Sequence, residues 1–454
     1  MSSQGSHRPG SFSITGMWQD ALTPRGRGIA AFVVIGLFVA LLLSPGLVPT
    51  AGAAMLGIWV GAIATLFLAR IGYFAASVPV VLVGGSGPQP VRLRVRPGSK
   101  RGRVETLDAP DLVPAARADR EPRPSERLLG VVRDGAARAY PLRILSVREA
   151  VNDTLEGRPI AVTWSPFCYA GRVFDAVAAG GSGEPVRFVS SGQSMLSSPL
   201  LADRASGSLY VQYLGRPLGL SGEDERLPEI PAVNTTWEAW SAAYPETLLL
   251  QDPVAPDLDV FETYYMSSRA GLYRAPRRDH RWPAKEVVAG VEINGDPRGF
   301  PLLWLREQPV VCEEVGGERV LIVFEQMSAT VLGFRPVVDG RPLEFIAVVT
   351  EPTQGDAPVE ASGPGLDGGG ENDATGRAYE PLILQDQETG SRWHALRGEC
   401  LDGELAGATM DRVPAALSFW FAWSNFHPGA RLMARPAVNL PGPSESHEAD
   451  ANRT

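Results

Sequence analysis

Apolar residues form two long runs near the N-terminus and many short runs farther along the chain. The long runs, 29–43 and 51–69, are almost free of polar residues, and two prolines break the chain between them. With its flanks, each run approaches the ~20 residues that a membrane-spanning helix needs. The pattern predicts a helical hairpin over 29–83, with candidate helices at 29–49 and 51–73. Residues 71–83 extend the second helix, lie in the membrane interface, or form the first strand of the soluble part.

Basic residues flank this predicted hairpin on both sides. The polar tail, 1–28, carries three arginines and one acid. After the hairpin come six basic residues with no acid between them: Arg92, Arg94, Arg96, Lys100, Arg101 and Arg103. Since positive flanks stay in the cytoplasm, we expect a two-pass protein of the cell membrane with a cytoplasmic soluble domain. If only one segment spans, the soluble domain lies outside the cytoplasm. The basic run is a solvated linker or contacts anionic lipid headgroups.

The short apolar runs follow a pattern that occurs twice. Residues 130–174 match residues 290–334 at a constant offset of 160, which pairs Gly130 with Gly290 and Gly157 with Gly317. A second block, 201–218, matches 384–401 at an offset of 183. The difference, 183 − 160 = 23 residues, corresponds to a Gly-, Pro- and acid-rich insertion at 351–376, predicted to be a mobile surface loop. Such self-similarity indicates a duplicated unit.

Within the first copy, apolar residues surround an Asp134-Gly135 turn signal, which predicts a hairpin. The spacing in 142–155 suits one short amphipathic helix, and 158–177 reads as two strands joined by a bend. We therefore predict a strand-rich α+β fold of two tandem pseudo-symmetric repeats, with a ligand cleft between them. The predicted divisions are a linker and lead-in at 84–126, repeat one at 127–250, an inter-repeat segment at 251–286, repeat two at 287–433 and a polar tail at 434–454.

Composition and charge narrow the function classes. The chain has 454 residues and a net charge of −9, which argues against nucleic acid as a partner. Forty-nine Gly and 39 Pro favour short elements joined by turns. The three cysteines are far apart and the five histidines are scattered, so we predict no metal site and no cofactor, although one disulfide is possible. No phosphate-binding glycine loop occurs.

The duplication separates structural residues from candidate functional ones. A residue type kept in both copies is expected to serve the fold. Kept residues include the predicted turn formers Asp203 and Asp386 and four predicted core anchors, Trp237, Trp240, Trp420 and Trp423. Arg138 and Arg298 are also kept, and each is expected to pair with an acid of its own copy, Asp153 or Glu313.

Polar residues present in one copy are better candidates for chemistry. Cys168 matches Ser328, Glu149 matches Pro309, Asn152 matches Cys312 and Gln212 matches Ala395. Cys168 lies in a bend near Arg172, which could lower its pKa and give a thiolate; the alternative is a small core hydrophobe. The candidate catalytic residues are Cys168 and Glu149. The candidate ligand-binding residues are Arg138, Asn152, Asp153 and Gln212.

Several segments resemble one bacterial and archaeal family, the domain of unknown function 3179. They are RAYPLRILSVREAVNDTLEGRPIAVTWSPFCYAG, DRASGSLYVQYLGRPLGL and NTTWEAWSAAYPETLLL, and the likeness covers about 104–433. The family pattern resembles Trp-His-Glu-Ile-Val-Asn-Asp followed by Cys-Pro-Leu-Cys, a set that implies a metal or redox site. Here Val147, Arg148 and Glu149 stand at the first motif, and 165–168 reads Ser-Pro-Phe-Cys. Only Glu149 and Cys168 of that set remain.

Two functions follow as hypotheses. The first is a membrane-anchored binding or structural module whose cleft holds a small molecule, a peptide or a partner domain. The second is a thiol- or acid-dependent enzyme in which Cys168 is the nucleophile or redox group, while Glu149, Asn152 and Gln212 orient the substrate or move protons.

Overall fold

The computed structural model describes residues 77–84, 87–97, 104–118, 120–177, 184–218, 226–253, 255–273, 275, 277–348 and 379–434. The predicted membrane helices, the insertion at 351–376, both tails apart from Ala434, and the basic residues Lys100, Arg101 and Arg103 lie outside these ranges. Within the ranges, we find no helix with the length and apolar character needed to cross a bilayer.

Strands dominate the described residues. The strands up to residue 251 are β1 Ser77–Gly84, β2 Gly87–Arg94, β3 Arg96–Pro97, β4 Leu107–Asp108, β5 Asp111–Pro114, β6 Arg127–Arg133, β7 Ala136–Pro141, β8 Ala150–Leu155, β9 Arg158–Ser165, β10 Ala170–Asp175, β11 Phe188–Met195, β12 Ser198–Asp203, β13 Leu209–Val211, β14 Arg216–Pro217, β15 Glu229–Ile230, β16 Ala232–Thr236 and β17 Leu248–Gln251.

The later strands are β18 Val287–Ile293, β19 Asp296–Pro301, β20 Val310–Val315, β21 Glu318–Glu325, β22 Thr330–Phe334, β23 Val337–Val338, β24 Arg341–Pro342, β25 Phe345–Val348, β26 Ile383–Asp386, β27 Arg392–His394, β28 Glu399–Asp402, β29 Arg412–Val413, β30 Ala416–Phe419 and β31 Arg431–Leu432. The α-helices are α1 Leu142–Arg148, α2 Trp237–Ala243, α3 Glu262–Met266, α4 Leu302–Glu307 and α5 Trp420–Phe426. The strand-rich α+β class is therefore confirmed.

The strands of the first half, 127–250, form three sheets together with lead-in strands. Their orders are β16-β6-β7-β17-β5, β15-β10-β9-β8-β4 and β14-β13-β12-β11-β3. The turn between β6 and β7 has positive φ angles at Asp134 and Gly135, +49° and +83°. This conformation suits the twist of a tight hairpin and is tolerated best by Asp, Asn and Gly.

The strands of the second half, 287–433, include sheets of order β30-β18-β19-β31, β29-β22-β21-β20 and β28-β27-β26-β25. In each half a late strand pairs in parallel with the second strand of the first hairpin: β17 with β7, and β31 with β19. The turn between β18 and β19 has positive φ at Asn294 and Gly295, +49° and +77°.

The two halves pack directly against each other. Strand β10 of the first half contacts β30 of the second, and β22 of the second half contacts β16 of the first. The Tyr213 hydroxyl donates to Ser418 Oγ across this boundary at 2.7 Å, and the Tyr213 ring stacks on Phe426 with centroids 4.2 Å apart. One apolar cluster draws buried residues from both halves. The core is therefore continuous across the boundary.

The predicted single helix over 142–155 is wrong in its second part. Helix α1 ends at Arg148, and residues 150–155 form β8, which pairs with β9. Glu149 between them has φ +61° and ψ −37°, which stops the helix. In a short apolar run, the pattern of a helix and that of a buried strand are hard to tell apart. Residues 150–155 form a strand because they are buried in the sheet next to β9.

The segment before residue 127 holds more regular structure than the linker that the sequence indicated. Strand β1 pairs with β2 over their whole lengths. Residues 77–83 therefore form a strand, which was one of the three alternatives for 71–83. Strands β4 and β5 then join sheets of the first half.

The predicted core anchors are confirmed, since all four tryptophans are at most 4% exposed. The predicted turn formers are also confirmed. The Asp203 carboxylate accepts the Ser206 backbone N–H at 2.9 Å, and that of Asp386 accepts the Thr389 N–H at 2.7 Å. These carboxylates close the tight turns that lead to Gly207 and Gly390.

Candidate functional site

The Ser165–Tyr169 turn joins β9 to β10 and brings the candidate cysteine into the core. Cys168 N–H donates to the Ser165 carbonyl at 3.1 Å, which closes the turn, and Tyr169 has φ +52°. On its other side, the Cys168 carbonyl accepts the Phe419 backbone N–H of the second half at 2.9 Å. This turn is therefore one of the places where the two halves are hydrogen-bonded together.

Cys168 is fully buried and its thiol is a core group. Burial raises the pKa of the thiol to about 12, and the neighbouring Ser165 hydroxyl offsets this only partly. The Sγ atom lies 3.8 Å from the Leu196 carbonyl. The prediction that a nearby arginine lowers the pKa of Cys168 and gives a thiolate is therefore wrong. Removal from water penalises the charged form more than any neighbour stabilises it. Cys168, Cys312 and Cys400 are all free thiols.

Arg172 does not stabilise a Cys168 thiolate, because this buried arginine is paired with Glu229, whose side chain is partly exposed. Its guanidinium donates to Glu229 at 2.8 Å and lies over the Tyr213 ring, 4.9 Å from the centroid. Burial lowers the pKa of Arg172, but the Glu229 carboxylate outweighs it and the net pKa lies above the ordinary value. The pair is a structural anchor next to the boundary between the halves.

Glu149 is the one-copy residue whose backbone geometry is unusual. It follows α1, donates its N–H to the Leu145 carbonyl at 2.9 Å, and accepts the Trp164 N–H at 3.0 Å. A non-glycine residue at φ +61° costs about 1–3 kcal/mol. Its side chain is half-buried and accepts a hydrogen bond from Ser190 Oγ at 2.8 Å. The fold therefore holds a carboxylate at a strained position.

A narrow cavity opens beside this carboxylate. It is lined by Ser146, Glu149, Pro166, Phe167, Gln193, Ser194, Ser197, Pro199, Phe261 and Leu272. Glu149 is the one charged residue of that lining, and two aromatic rings, Phe167 and Phe261, meet edge to face with centroids 5.2 Å apart. The volume is about 20 Å³, enough for about one water molecule.

The cleft that the sequence predicted between the two halves does not coincide with this cavity. The walls of the cavity come from the first half and from the segment that joins the halves. A wider surface depression lies within the second half and is lined by Asp296, Arg298, Glu313, Glu314, Gly316, Gly317, Arg431, Leu432 and Ala434. Its main charges are already paired as Arg298–Glu313 and Arg431–Asp296. The halves themselves meet through packed side chains.

Asn152 is engaged within the protein. Its amide donates to Asp108 Oδ1 at 2.7 Å and to the Phe188 carbonyl at 2.9 Å, and its oxygen accepts the Phe188 N–H at 2.8 Å. The side chain thus ties β8 to β4 and β11 and holds two sheets together. Its buried amide serves the fold and not the cavity.

Gln212 is likewise a core hydrogen-bonding residue. It is 1% exposed, accepts from Ser198 Oγ at 2.9 Å, and donates to Thr163 Oγ1 at 3.0 Å and to the Ala170 carbonyl at 3.2 Å. These partners tie β13 to β9 and β10. The structure therefore does not bring Gln212 to the cavity beside Glu149.

The arginine pairs predicted within each copy differ. Arg298 pairs with Glu313, as predicted. Arg138 instead donates to the Ala137 carbonyl at 3.2 Å, and Asp153 accepts the Tyr140 hydroxyl at 2.6 Å. The reason is the residue at the matched position. The second half has Phe300 where the first has Tyr140, so only the first half offers a phenol to the carboxylate.

The family motif positions that differ in this chain are filled by structural residues. Arg148 donates to both oxygens of Asp252, at 2.7 and 3.1 Å, and also reaches Glu105 at 3.1 Å. Ser165 is fully buried beside Cys168. In the described part of the chain, no group of three or more His, Cys, Asp or Glu residues is arranged to hold a metal ion.

Sequence reasoning missed two groups near the cavity. Asp259 accepts a hydrogen bond from Ser146 Oγ at 2.9 Å. Burial raises the pKa of its carboxyl, and hydrogen bonds from the Phe261 N–H and Ser146 lower it only in part. Lys285 lies against the ring of Tyr264, whose hydroxyl donates to the Phe167 carbonyl at 2.8 Å. The 160-residue offset could have found Lys285, since it matches Ser125.

Comparison with known protein families shows to which family the chain is related. A family described as a protein of unknown function (DUF3179) matches residues 103–430. The chain belongs to the DUF3179 family. This agrees with the resemblance in the motifs around Glu149 and Cys168. No curated protein matches the chain. No solved structure matches it either.

Proposed function

We propose that this DUF3179 protein is a membrane-anchored binding protein that takes the ammonium group of a small amine into the cavity beside Glu149. The observation that carries the proposal is the Glu149 carboxylate, held at a strained φ of +61° in the lining of a cavity. Strain of this kind persists where surrounding structure enforces it, and it often accompanies a site.

The lining indicates the ligand's charge and shape. A carboxylate among serine and glutamine side chains accepts hydrogen bonds from an ammonium group. The rings of Phe167 and Phe261 offer faces and edges to an apolar or cationic group. The cavity is narrow, so it accommodates a head group, and the remainder of the amine would lie on the aromatic surface outside.

The second half supports this assignment by contrast. There Pro309 stands at the position of Glu149, and its carbonyl accepts the Phe324 N–H at 2.7 Å, as Glu149 accepts that of Trp164. The backbone contact is therefore met without a carboxylate and without a positive φ. The shared backbone contact therefore does not account for the carboxylate of Glu149.

The thiol-dependent alternative has less support. It needs an activated Cys168, whereas burial raises the pKa of that thiol to about 12. Its proposed helpers, Asn152 and Gln212, are held by neighbouring strands.

We also propose that the two halves are copies of one unit related by a pseudo-twofold axis. Support comes from reciprocal contacts: β10 packs on β30 while β22 packs on β16. The chain before each half makes matching hydrogen bonds, since Trp237 N–H donates to the Glu126 carbonyl and Trp420 N–H to that of Glu286, both at 2.9 Å. Reciprocal contacts of this kind are typical of twofold symmetry.

The anchor remains the predicted hairpin of 29–49 and 51–73, with the soluble part on the cytoplasmic side. Arg92, Arg94, Arg96, Lys100, Arg101 and Arg103 would then lie near anionic headgroups. Of these, Arg96 packs over the Tyr273 ring at 4.9 Å, so it is engaged with the soluble domain. Alkaline carbonate extraction of membranes tests the anchor. Release of the full chain into the soluble fraction would contradict it.

Ligand binding is tested with 2-phenylethylamine as the probe and 2-phenylethanol as its neutral counterpart. We expect the amine, at millimolar concentration, to raise the melting temperature of the full chain in detergent, and the alcohol to have no such effect. Glu149→Gln should abolish the shift. Equal shifts with amine and alcohol, no shift at all, or an unchanged shift in Glu149→Gln would each overturn the proposal.

Two further variants separate binding from folding. Glu149→Gly should abolish the shift with little net change in stability, because relief of about 1–3 kcal/mol of strain offsets the lost hydrogen bond from Ser190 to the carboxylate, about 1.5–3 kcal/mol. Phe167→Ala should weaken binding. The matched control, Met327→Ala, changes an exposed residue at the same position of the second half and should leave binding unchanged.

A further inference from the structure

Lysine is rare in this chain, and one of its two lysines has an unusual environment. Lysine and arginine together number 42, and only Lys100 and Lys285 are lysines, which leaves 42 − 2 = 40 arginines. Wherever a cation is needed, the chain therefore almost always uses arginine. Arginine cannot lose its proton in a protein, whereas lysine can. A lysine in such a chain suggests a role for a neutral amine.

Lys285 is held between aromatic rings from two parts of the chain. Its Nζ atom lies 3.7 Å from the ring centroid of Tyr264 in α3 and 4.1 Å from that of Phe419 at the end of β30. The Nζ atom also donates to the Tyr264 carbonyl at 2.9 Å. Within the described ranges no carboxylate forms an ion pair with it, and the side chain is half-buried.

The matched position in the first half makes this environment specific to Lys285. Phe421 N–H donates to the Ala284 carbonyl at 2.9 Å, and Glu238 N–H donates to that of Pro124 at 3.0 Å. The two backbones thus run alike on both sides of Lys285 and its match, Ser125. The fold accepts serine there, so the amine is not required to build this part of the chain.

Burial also lowers the pKa of the Lys285 ammonium to about 8. The titratable groups on the elements packed around it do not offset this. Burial raises the pKa of the Tyr264 hydroxyl, of the Cys168 thiol beside Phe419, and of the adjacent Glu286 carboxyl. At pH 7 a pKa of about 8 leaves about a tenth of the Lys285 amine without its extra proton, far more than for an ordinary lysine with a pKa near 10.4.

We propose that Lys285 is a nucleophilic amine that forms a reversible imine with a small aldehyde or ketone. The neutral Nζ adds to the carbonyl carbon, a C–N bond forms, and the carbonyl oxygen takes protons and leaves as water. The product is a C=N bond, and hydrolysis returns both partners. The faces of Tyr264 and Phe419 shield the reacting nitrogen from part of the solvent. Lys285 is not in the lining of the cavity beside Glu149, so this inference stands apart from the proposed amine binding.

The experiment uses the full chain with propionaldehyde as the probe and sodium cyanoborohydride to trap the imine. Peptide mass spectrometry then measures the alkylation rate at Lys285 and at Lys100, which serves as an internal reference. We expect Lys285 to react about tenfold faster than Lys100 at pH 7.5, because the pKa of an ordinary lysine lies near 10.4. The Lys285 rate should rise with a midpoint near pH 8.

Equal rates, or a slower rate at Lys285, would overturn the proposal. Unfolding in urea should remove the preference, because the unfolded chain exposes both amines equally; a preference that persists in urea would also contradict it. Lys285→Arg keeps the charge and should remove the fast-reacting site while the circular dichroism spectrum and the 2-phenylethylamine response stay unchanged. Failure of that response alone would count against the cavity proposal and not against Lys285.

Discussion

Gly130 lies directly under the ring of Trp240, and a methyl group added at Gly130 would stand 2.2 Å from the ring carbon Cζ3. The second half has the same pair, Gly290 and Trp423, with the same 2.2 Å approach. The glycines are 160 residues apart and the tryptophans 183 apart. Each half is therefore closed by a tryptophan that fits only over a residue without a side chain.

We expect Gly130→Ala to lower the free energy of unfolding by about 1–3 kcal/mol or more, because the ring must move in a close-packed core. Gly290→Ala should have a similar effect. The measurement is urea-induced unfolding followed by tryptophan fluorescence. Gly299→Ala is the matched control, since Gly299 pairs with Gly290 in the β18–β19 hairpin. Its new methyl would press only on the flexible end of Leu432, at 3.2 Å, and would make ordinary contacts with Trp423 at 3.4 Å and Trp420 at 3.5 Å. Equal losses at Gly130 and Gly299 would contradict the account.

Arg172 and Glu229 should be far more sensitive than an exposed ion pair. Glu229→Gln leaves a buried guanidinium without its counter-charge, so we expect a loss of about 3–5 kcal/mol in unfolding free energy. Replacing both residues together, as Arg172→Met with Glu229→Leu, should cost less than the single change. Arg341→Ala breaks a pair whose side chains are 63% and 60% exposed and should cost at most about 1 kcal/mol. An additive double variant would show that the two charges do not depend on each other.

Cys168 should be unreactive in the folded protein. Its thiol pKa is raised to about 12 from 9.0, so its thiolate population is roughly a thousandfold smaller than that of a free cysteine. With iodoacetamide at pH 7.5, mass spectrometry should find Cys312, which is partly exposed, modified first. Cys168 should react only after denaturation. Modification of native Cys168 at the rate of Cys312 would restore the thiol-dependent hypothesis.

Acid should destabilise the protein through Asp386. Burial raises the pKa of this carboxyl, but hydrogen bonds from Trp393 and Thr389 outweigh it, so the net pKa lies below the ordinary 3.8. A carboxyl whose folded pKa is lowered contributes stability above its unfolded pKa and loses it as the pH falls through the folded value. Unfolding free energy should therefore drop below about pH 4, and Asp386→Asn should reduce that drop.

The same variant also tests the turn at neutral pH. Asp386→Asn should cost about 1.5–3 kcal/mol at pH 7, because its oxygens accept from the Trp393 indole at 2.9 Å and the Thr389 N–H at 2.7 Å. Asp134→Asn, in the exposed β6–β7 turn, should change stability by less than about 0.5 kcal/mol. A larger effect at Asp134 than at Asp386 would be inconsistent with the hydrogen bonds described.

Local chemistry explains why part of the fold could be predicted. Asp134-Gly135 predicts a hairpin because few residues tolerate positive φ at both turn positions. Asp203 and Asp386 predict turns because a short carboxylate reaches backbone N–H groups two and three residues on. The tryptophans were assigned to the core because two matched copies contain them at matched places, and large rings repeated in this way are expected to be buried.

The candidate site was harder to predict, because its properties depend on residues distant in sequence. Cys168 contacts Phe419 and Leu196 in the core, and its burial there reverses the expected direction of its pKa. The sequence does not show that the Asn152 amide is used by Asp108 and Phe188, so Asn152 was predicted to bind a ligand. No pattern along 142–155 shows that residue 149 takes a left-handed conformation, because β9 imposes it by pairing with the residues that follow.

By itself, the sequence determined the strand-rich α+β class, the tight turns, the buried tryptophans and membership of the DUF3179 family. Each depends on local backbone preference or on a pattern repeated along the chain. Only the tertiary structure decided that Arg172 belongs to Glu229, that Glu149 faces a cavity, and that Lys285 lies between Tyr264 and Phe419. Charge, pKa and access to solvent depend on which distant residues exclude water from a group, and packing alone sets that.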